Sequence, residues 1–156
     1  MLTLAIPGFK DLHLTHLVLD YNGTLACDGT PLDGVKERVE ALSAGLDIFI
    51  LTADTFGTVQ GRVGGWPCRV EVIPSGQEAE AKVRFIKGLG ASGTAAIGNG
   101  RNDRLMLKEA ALGIAVLQTE GTAVEALLAA DLIVPGILEA LDLFLNTSRL
   151  KATLRS

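Results

Sequence analysis

A chain of 156 residues with 48% hydrophobic content is long enough for one domain with a substantial core. Its net charge of −4, with no basic block outside the C-terminal tail, argues against a nucleic-acid partner, and its one Trp, one Tyr and five Phe make no aromatic platform for bases or sugars. No apolar run reaches bilayer length and the N-terminus lacks a signal-peptide pattern, so no membrane role and a cytoplasmic location are expected, with Cys27 and Cys68 as reduced thiols.

Short apolar runs alternate with helical patterns, which predicts a three-layer α/β fold: a Rossmann-like parallel sheet with helices on both faces. An N-terminal strand over Leu2–Ile6 breaks at Pro7-Gly8 and pairs with the segment leading into Leu17. Parallel strands are predicted at His16–Asp20, Asp47–Leu51, Thr94–Ile97, Gly113–Val116 and Leu132–Val134, with a further short strand at Arg69–Ile73. Asp33 is placed to cap a helix bearing Val35, Val39 and Leu42, and Ser75 with Glu78 fits a capping box ahead of Ala79, Val83, Ile86 and Leu89. Later helices are predicted over Asp103–Ala110, Thr122–Ala129 and Pro135–Leu145. Residues 146–156, with Arg149, Lys151 and Arg155, read as a solvated basic tail. No linker or repeat interrupts the series, so residues 1–156 read as a single domain.

Three places along this series carry chemistry. In Leu17-Val18-Leu19-Asp20-Tyr21-Asn22-Gly23-Thr24-Leu25 a buried strand delivers a carboxylate at its carboxyl end, a water-poor position that suits a nucleophile or a metal ligand. By itself, such an aspartate is also an ordinary turn residue. Lys82 gives an independent signal. At 100° per residue it falls inside the arc of Ala79, Val83, Phe85, Ile86 and Leu89, so it must either snorkel out or meet an anion. Gly98-Asn99-Gly100-Arg101-Asn102-Asp103 follows a strand and opens a helix, at the sheet edge where open α/β folds bind ligands. Plain N-capping by Asn102 or Asp103 is the alternative there.

Together these segments resemble the haloacid dehalogenase (HAD) superfamily. Asp20-Tyr21-Asn22-Gly23-Thr24-Leu25 is similar to its phosphorylation motif Asp-x-Asp-Gly-Thr-Leu. Thr52 after Phe49-Ile50-Leu51, Lys82 and the Gly98–Asp103 segment follow in the expected order. The likeness is greatest to small soluble proteins resembling the phosphorylation domain of P-type ATPases, which carry Asp-Lys-Thr-Gly-Thr, Thr-Gly-Asp and Gly-Asp-Gly-x-Asn-Asp. The gaps of 31 residues from Asp20 to Thr52 and 29 from Thr52 to Lys82 leave no room for a cap domain.

The resemblance implies a Mg²⁺-dependent phosphatase-type hydrolase that forms an aspartyl phosphate on Asp20. Thr52 and Lys82 would meet phosphoryl charge, while Gly23, Ala53, Arg101 and Asn102 would surround a small phosphorylated substrate or phosphate. Asp20, the backbone carbonyl of Asn22, Asn99 and Asp103 would hold the metal. Arg101 faces either solvent or an anionic substrate, and Asp54 either echoes Thr-Gly-Asp or caps a helix starting at Thr55. Two departures bear on activity. Asn22 stands where the family's acid–base aspartate belongs, and an amide cannot move that proton. Asn99 replaces a metal-binding aspartate and removes one negative charge. The implied turnover is therefore slow, and the alternative is a catalytically impaired phosphoryl-site fold acting as a binding, regulatory or structural protein. By the same resemblance a homo-oligomer is expected, with the basic tail closing a neighbour's site.

Overall fold

The computed structural model describes residues 1–54 and 56–156, so a helix start at Thr55 lies outside the described residues. The chain opens with strand β1 (Leu2–Ala5) paired antiparallel to β2 (Asp11–Leu14), which leads through Thr15 into β3 (His16–Asp20). A two-residue ladder, β4 (Ala26–Cys27) with β5 (Thr30–Pro31), follows the turn after β3. Next come α1 (Val35–Leu42), β6 (Asp47–Thr52), α2 (Thr58–Arg62), β7 (Arg69–Val72) and α3 (Glu78–Leu89). The second half runs β8 (Thr94–Gly98), a 3₁₀ turn at Arg101–Asp103, α4 (Arg104–Glu109), β9 (Leu112–Val116), α5 (Val124–Ala129), β10 (Leu132–Val134), α6 (Ile137–Leu145) and α7 (Thr147–Leu154).

Six strands form one parallel sheet in the order β10-β9-β8-β3-β6-β7. Alternation along β3 sends Leu17 and Leu19 into one core with Val35 and Val39 of α1 and Leu141 and Phe144 of α6. Val18 goes to the other face, with Ile86 of α3, Met106 and Leu107 of α4 and Ala126 of α5. Both faces of β3 are thus covered, which is why it reads as an unbroken apolar run. The chain builds outward from β3 to β6 and β7, then returns to β8 on its other side. That reversal puts the end of β3 at the switch point where open α/β sheets gather ligands.

Several terminal signals differ from the sequence reading. Asp33 does not cap α1: Gly34 takes the corner at φ 86°, and no side chain caps the helix. Ser75 and Glu78 form no capping box, because α3 begins at Glu78 itself and Gln77 occupies the cap position. Glu78 is therefore the first helical residue, not the third that a capping box requires, and its carboxylate meets the backbone of Gly76. Residues 146–156 are not a free tail. Most form α7, whose Leu150 is buried, while Arg149, Lys151 and Arg155 stay exposed. Ser156 N–H donates to the Pro7 carbonyl at 3.1 Å, so this end docks beside the β1–β2 hairpin, which enters the sheet at the amino end of β3. Among the described residues, no helix is long and apolar enough to cross a membrane.

Candidate active site

Asp20 ends β3 and Thr52 ends the neighbouring β6, with Asp20 in register with Leu51, so both stand at the carboxyl edge of the sheet. Lys82 arrives from α3, in the stripe of Ala79 and Ile86 that faces the sheet. Its ammonium Nζ donates to Asp20 Oδ1 at 2.6 Å and to Asp103 Oδ1 at 2.5 Å. The lysine is 1% exposed, Asp20 7% and Asp103 0%, so the three charges are removed from water together. The buried-face lysine of the sequence has met its anion, and it has met two.

Asp103 does not cap α4. Its carboxylate turns back over the preceding loop, where Oδ2 accepts the Asn99 N–H at 3.0 Å and the Gly100 N–H at 2.8 Å. Gly98 leaves room for this: a Cβ there would lie 2.5 Å from Asp103 Cγ. With both oxygens bonded, Asp103 is a fixed negative charge facing Lys82.

Thr24 completes the inner group. Its Oγ1 lies 3.0 Å from Asp20 Oδ2 and 3.1 Å from Asn99 Oδ1, and its single proton serves one of these acceptors at a time. Asn99 Nδ2 in turn donates to the Gly121 carbonyl at 2.9 Å. Gly23 sits against this amide at φ 77°, and a Cβ there would run into Asn99 Nδ2. The Gly23 N–H is already taken by the Ala26 carbonyl at 2.9 Å, so this residue contributes the shape of the turn.

Burial is the main influence on Asp20 and raises its pKa from 3.8 to about 7; the Asp103 charge adds to it, while Lys82 and the Thr24 hydroxyl oppose it. For Lys82 burial works toward a lower value, but the Asp20 and Asp103 carboxylates prevail and hold it above its ordinary range. The cluster therefore keeps its cation firmly and its nucleophile candidate near the balance point.

The remaining predicted residues lie around this group. Thr52 is buried, and its hydroxyl accepts the Asp54 N–H at 3.1 Å, which leaves its own proton to donate. Asp54 accepts from Phe56 N at 3.1 Å and Val59 N at 2.8 Å, so it secures the start of α2 and does not face the cluster as a free carboxylate. Asn22 and Ala53 line a cavity of about 480 Å³ with Tyr21, Phe56 and Val59. Arg101 and Asn102 are exposed, and Arg101 Nε pairs with Glu125 of α5 at 3.0 Å. Sequence reasoning assigned no role to Thr24, although it lies inside the first motif, or to Gln118. Gln118 Nε2 donates to the Gly23 and Thr24 carbonyls at 2.9 and 2.7 Å, and nothing in its local sequence marks it. Cys27, Asp28 and Glu120 also converge within 4.8 Å, a grouping that chain spacing hides; burial and then the two carboxylates push the Cys27 thiol above its usual value.

No protein-family profile matches the chain. A protein from Methanocaldococcus jannaschii, known as uncharacterized protein MJ0073, is 45% identical over 84 residues, covering 51% of this chain and 90% of its own. The chain belongs to that protein's family. Among solved structures, one described as a HAD superfamily (subfamily III A) hydrolase from Legionella pneumophila superposes with a TM-score of 0.71 at 20% identity, over 90% of this chain and 88% of that one. The 3-deoxy-D-manno-octulosonate 8-phosphate phosphatase of Moraxella catarrhalis, solved with magnesium, phosphate and KDO, gives 0.64 at 20% identity over 92% and 94%. A zinc-transporting PIB-type ATPase in its E2.Pi state gives 0.64 at 26% identity, over 80% of this chain but only 20% of the pump. The HAD-like fold is thus shared across both enzyme types, and in this chain the Asp20–Lys82–Asp103 group occupies its carboxyl edge.

Proposed function

We propose that this HAD-like chain is a Mg²⁺-dependent phosphohydrolase that transfers a phosphoryl group to Asp20 and then to water, in a single capless domain. The observation that carries this reading is the buried Lys82 ammonium shared by Asp20 and Asp103 at the switch point of the sheet. Capless architecture is supported by the short insertions at the two junctions: a two-residue ladder after β3 and the five-residue helix α2 after β6.

The donor set suits a hard divalent cation. It offers only oxygens, and burial, which disfavours the charged form of Asp20, is a penalty that a cation beside the carboxylate would offset. Asp20 and the Asn22 backbone carbonyl would hold the ion, with Asn99 Oδ1 and Asp103 completing the set. When bound, Mg²⁺ supplies positive charge beside the phosphoryl oxygens.

The chain's own groups do the rest. Asp20 is the nucleophile, and its carboxylate must be ionised to attack phosphorus. Two of the three Lys82 ammonium hydrogens already serve Asp20 and Asp103, which leaves one for a phosphoryl oxygen. Thr52 donates its free hydroxyl proton to another. The leaving group sits in the cavity beside Asn22 and Ala53, with Gly23 shaping the turn and Arg101 and Asn102 at the outer rim. Asn22 cannot pass a proton to the leaving oxygen or take one from water, which removes help worth about 10²–10⁴ in rate. Turnover is slow for that reason, in both the formation and the hydrolysis of the aspartyl phosphate. A homo-oligomer remains part of this reading.

Purified protein with Mg²⁺ and an aryl phosphate, assayed beside Asp20→Asn, tests it. Release of phosphate that disappears in Asp20→Asn is expected; equal activity in both proteins would defeat the proposal.

A further inference from the structure

We infer that the segment from Gln118 to Ala123 is a clamp that positions the catalytic turn, fastened by the primary amides of Gln118 and Asn99. On this view residue 99 is an amide because it must donate to a backbone carbonyl. The consequence for turnover rests on the phosphohydrolase reading; the clamp itself does not.

The clamp begins where β9 ends. Gln118 Nε2 holds the Gly23 and Thr24 carbonyls at 2.9 and 2.7 Å, and its Oε1 accepts the Ile137 N–H at 2.8 Å. That N–H belongs to the first turn of α6, where no intrahelical partner exists. One side chain thus fastens the turn after Asp20 to a helix that is anchored in the core. From the other side, Asn99 Nδ2 donates to the Gly121 carbonyl at 2.9 Å, while the Asn99 backbone carbonyl accepts the Ala123 N–H at 2.9 Å. The Asn99 side chain lies against Gly23, and its oxygen meets the Thr24 hydroxyl at 3.1 Å. Both amides therefore grip Gly23-Thr24, the two residues that follow Asn22 and set the path of the turn.

The orientation of Asn99 is fixed by this geometry. Rotating the amide by half a turn would bring its oxygen against the Gly121 carbonyl, two acceptors with no proton between them. A carboxylate at position 99 would do the same in either orientation. It would also add a third negative charge beside Asp20 and Asp103, which share a single lysine. A residue serving purely as an oxygen ligand would gain from that charge. A residue that latches the clamp loses its donor.

Site-resolved amide hydrogen exchange on the metal-free protein separates these roles without using activity. The reporters are Gly121 N–H, bonded to the Gln118 carbonyl, and Ala123 N–H, bonded to the Asn99 carbonyl. In Asn99→Asp exchange at both should quicken by about tenfold, the scale of one lost neutral hydrogen bond, and in Gln118→Leu, which loses all three side-chain bonds of Gln118, by at least that much, while amides of β3 and β6 keep their protection. Gln118→Leu should also lower kcat toward an aryl phosphate more than it changes KM, because it shifts the turn and leaves the cavity intact. Unchanged exchange at Gly121 and Ala123, or a loss spread evenly over the sheet, would overturn the clamp. If Asn99→Asp fails to fold, Gln118→Leu alone decides the matter by the same readout. A wild-type protein inactive on every phosphate would sink the phosphohydrolase reading, and the exchange result would still decide the clamp.

Discussion

Replacing Lys82 with methionine removes the cation and keeps most of the stem. Two carboxylates, 7% and 0% exposed, would then face each other with no positive partner. Deleting one member of a buried ion pair costs about 3–5 kcal/mol, because a charge is left uncompensated in a dry site. For a chain of this size each kcal/mol moves the midpoint by about 2–4 °C, so Tm should fall by about 6–20 °C. The loss should depend on pH in one direction. Asp20 already has a raised folded-state pKa, and without Lys82 it loses an influence that lowers it. The folded form then holds a proton that the unfolded chain releases, so stability is lost as pH rises from the ordinary carboxylate range through the folded value. Thermal and urea unfolding of the metal-free proteins at about pH 5 and about pH 8 should show the larger deficit at the higher pH. Lys87→Met is the control: that side chain is 59% exposed and 3.8 Å from Glu109, and its loss should stay within about 0.5 kcal/mol. A Lys82→Met deficit below about 1 kcal/mol, or one equal at both pH values, would refute the buried charge cluster.

Other outcomes follow from the same site. Between about pH 4 and pH 7 the metal-free wild type should lose stability relative to Asp20→Asn, because the Asp20 pKa rises from 3.8 to about 7 on folding. Paired urea midpoints check this, and a difference that runs the other way would contradict it. Asn22→Asp should raise kcat by about 10²–10⁴ by restoring a group able to move the leaving-group proton; an unchanged kcat would show that another step limits turnover. Gly23→Ala meets both a left-handed φ of 77° and the Asn99 amide, so it should cost more than about 1 kcal/mol in urea unfolding and reduce turnover.

Much of the architecture was legible because strong local patterns agreed with the tertiary solution. His16–Asp20 and Leu132–Val134 emerge with the predicted bounds, each an apolar run closed by a polar or turn residue. Lys82 was legible as a charge inside an apolar arc that had either to snorkel out or to meet an anion, and it pairs with Asp20 and Asp103. Helix starts were not. At α1 and α3, glycines in the left-handed region, Gly34 and Gly76, redirect the chain, and the polar residues before them fall outside the helical frame. Residues 147–154 concealed a helix because only two leucines, Leu150 and Leu154, dock it on the core, and Arg149 and Lys151 beside them read as a solvated basic run. Gln118 was out of reach for another reason: the two carbonyls it holds lie 95 and 94 positions away, and a single amide in a loop has no periodicity to betray it. For Arg101 the sequence left solvent and an anionic substrate as alternatives, and its pairing with Glu125 on α5, across a gap of 23 residues between them in the chain, has no local signature.

The central claim concerns a bond between phosphorus and an oxygen of Asp20. Rapid acid quench of the protein with Mg²⁺ and a phosphate donor, followed by peptide mass spectrometry, reads that bond directly. A phosphoryl adduct on the peptide carrying Asp20, labile to hydroxylamine and absent in Asp20→Asn, is the expected result. Phosphate release with no such adduct at any quench time, or an adduct that persists in Asp20→Asn, would contradict the account.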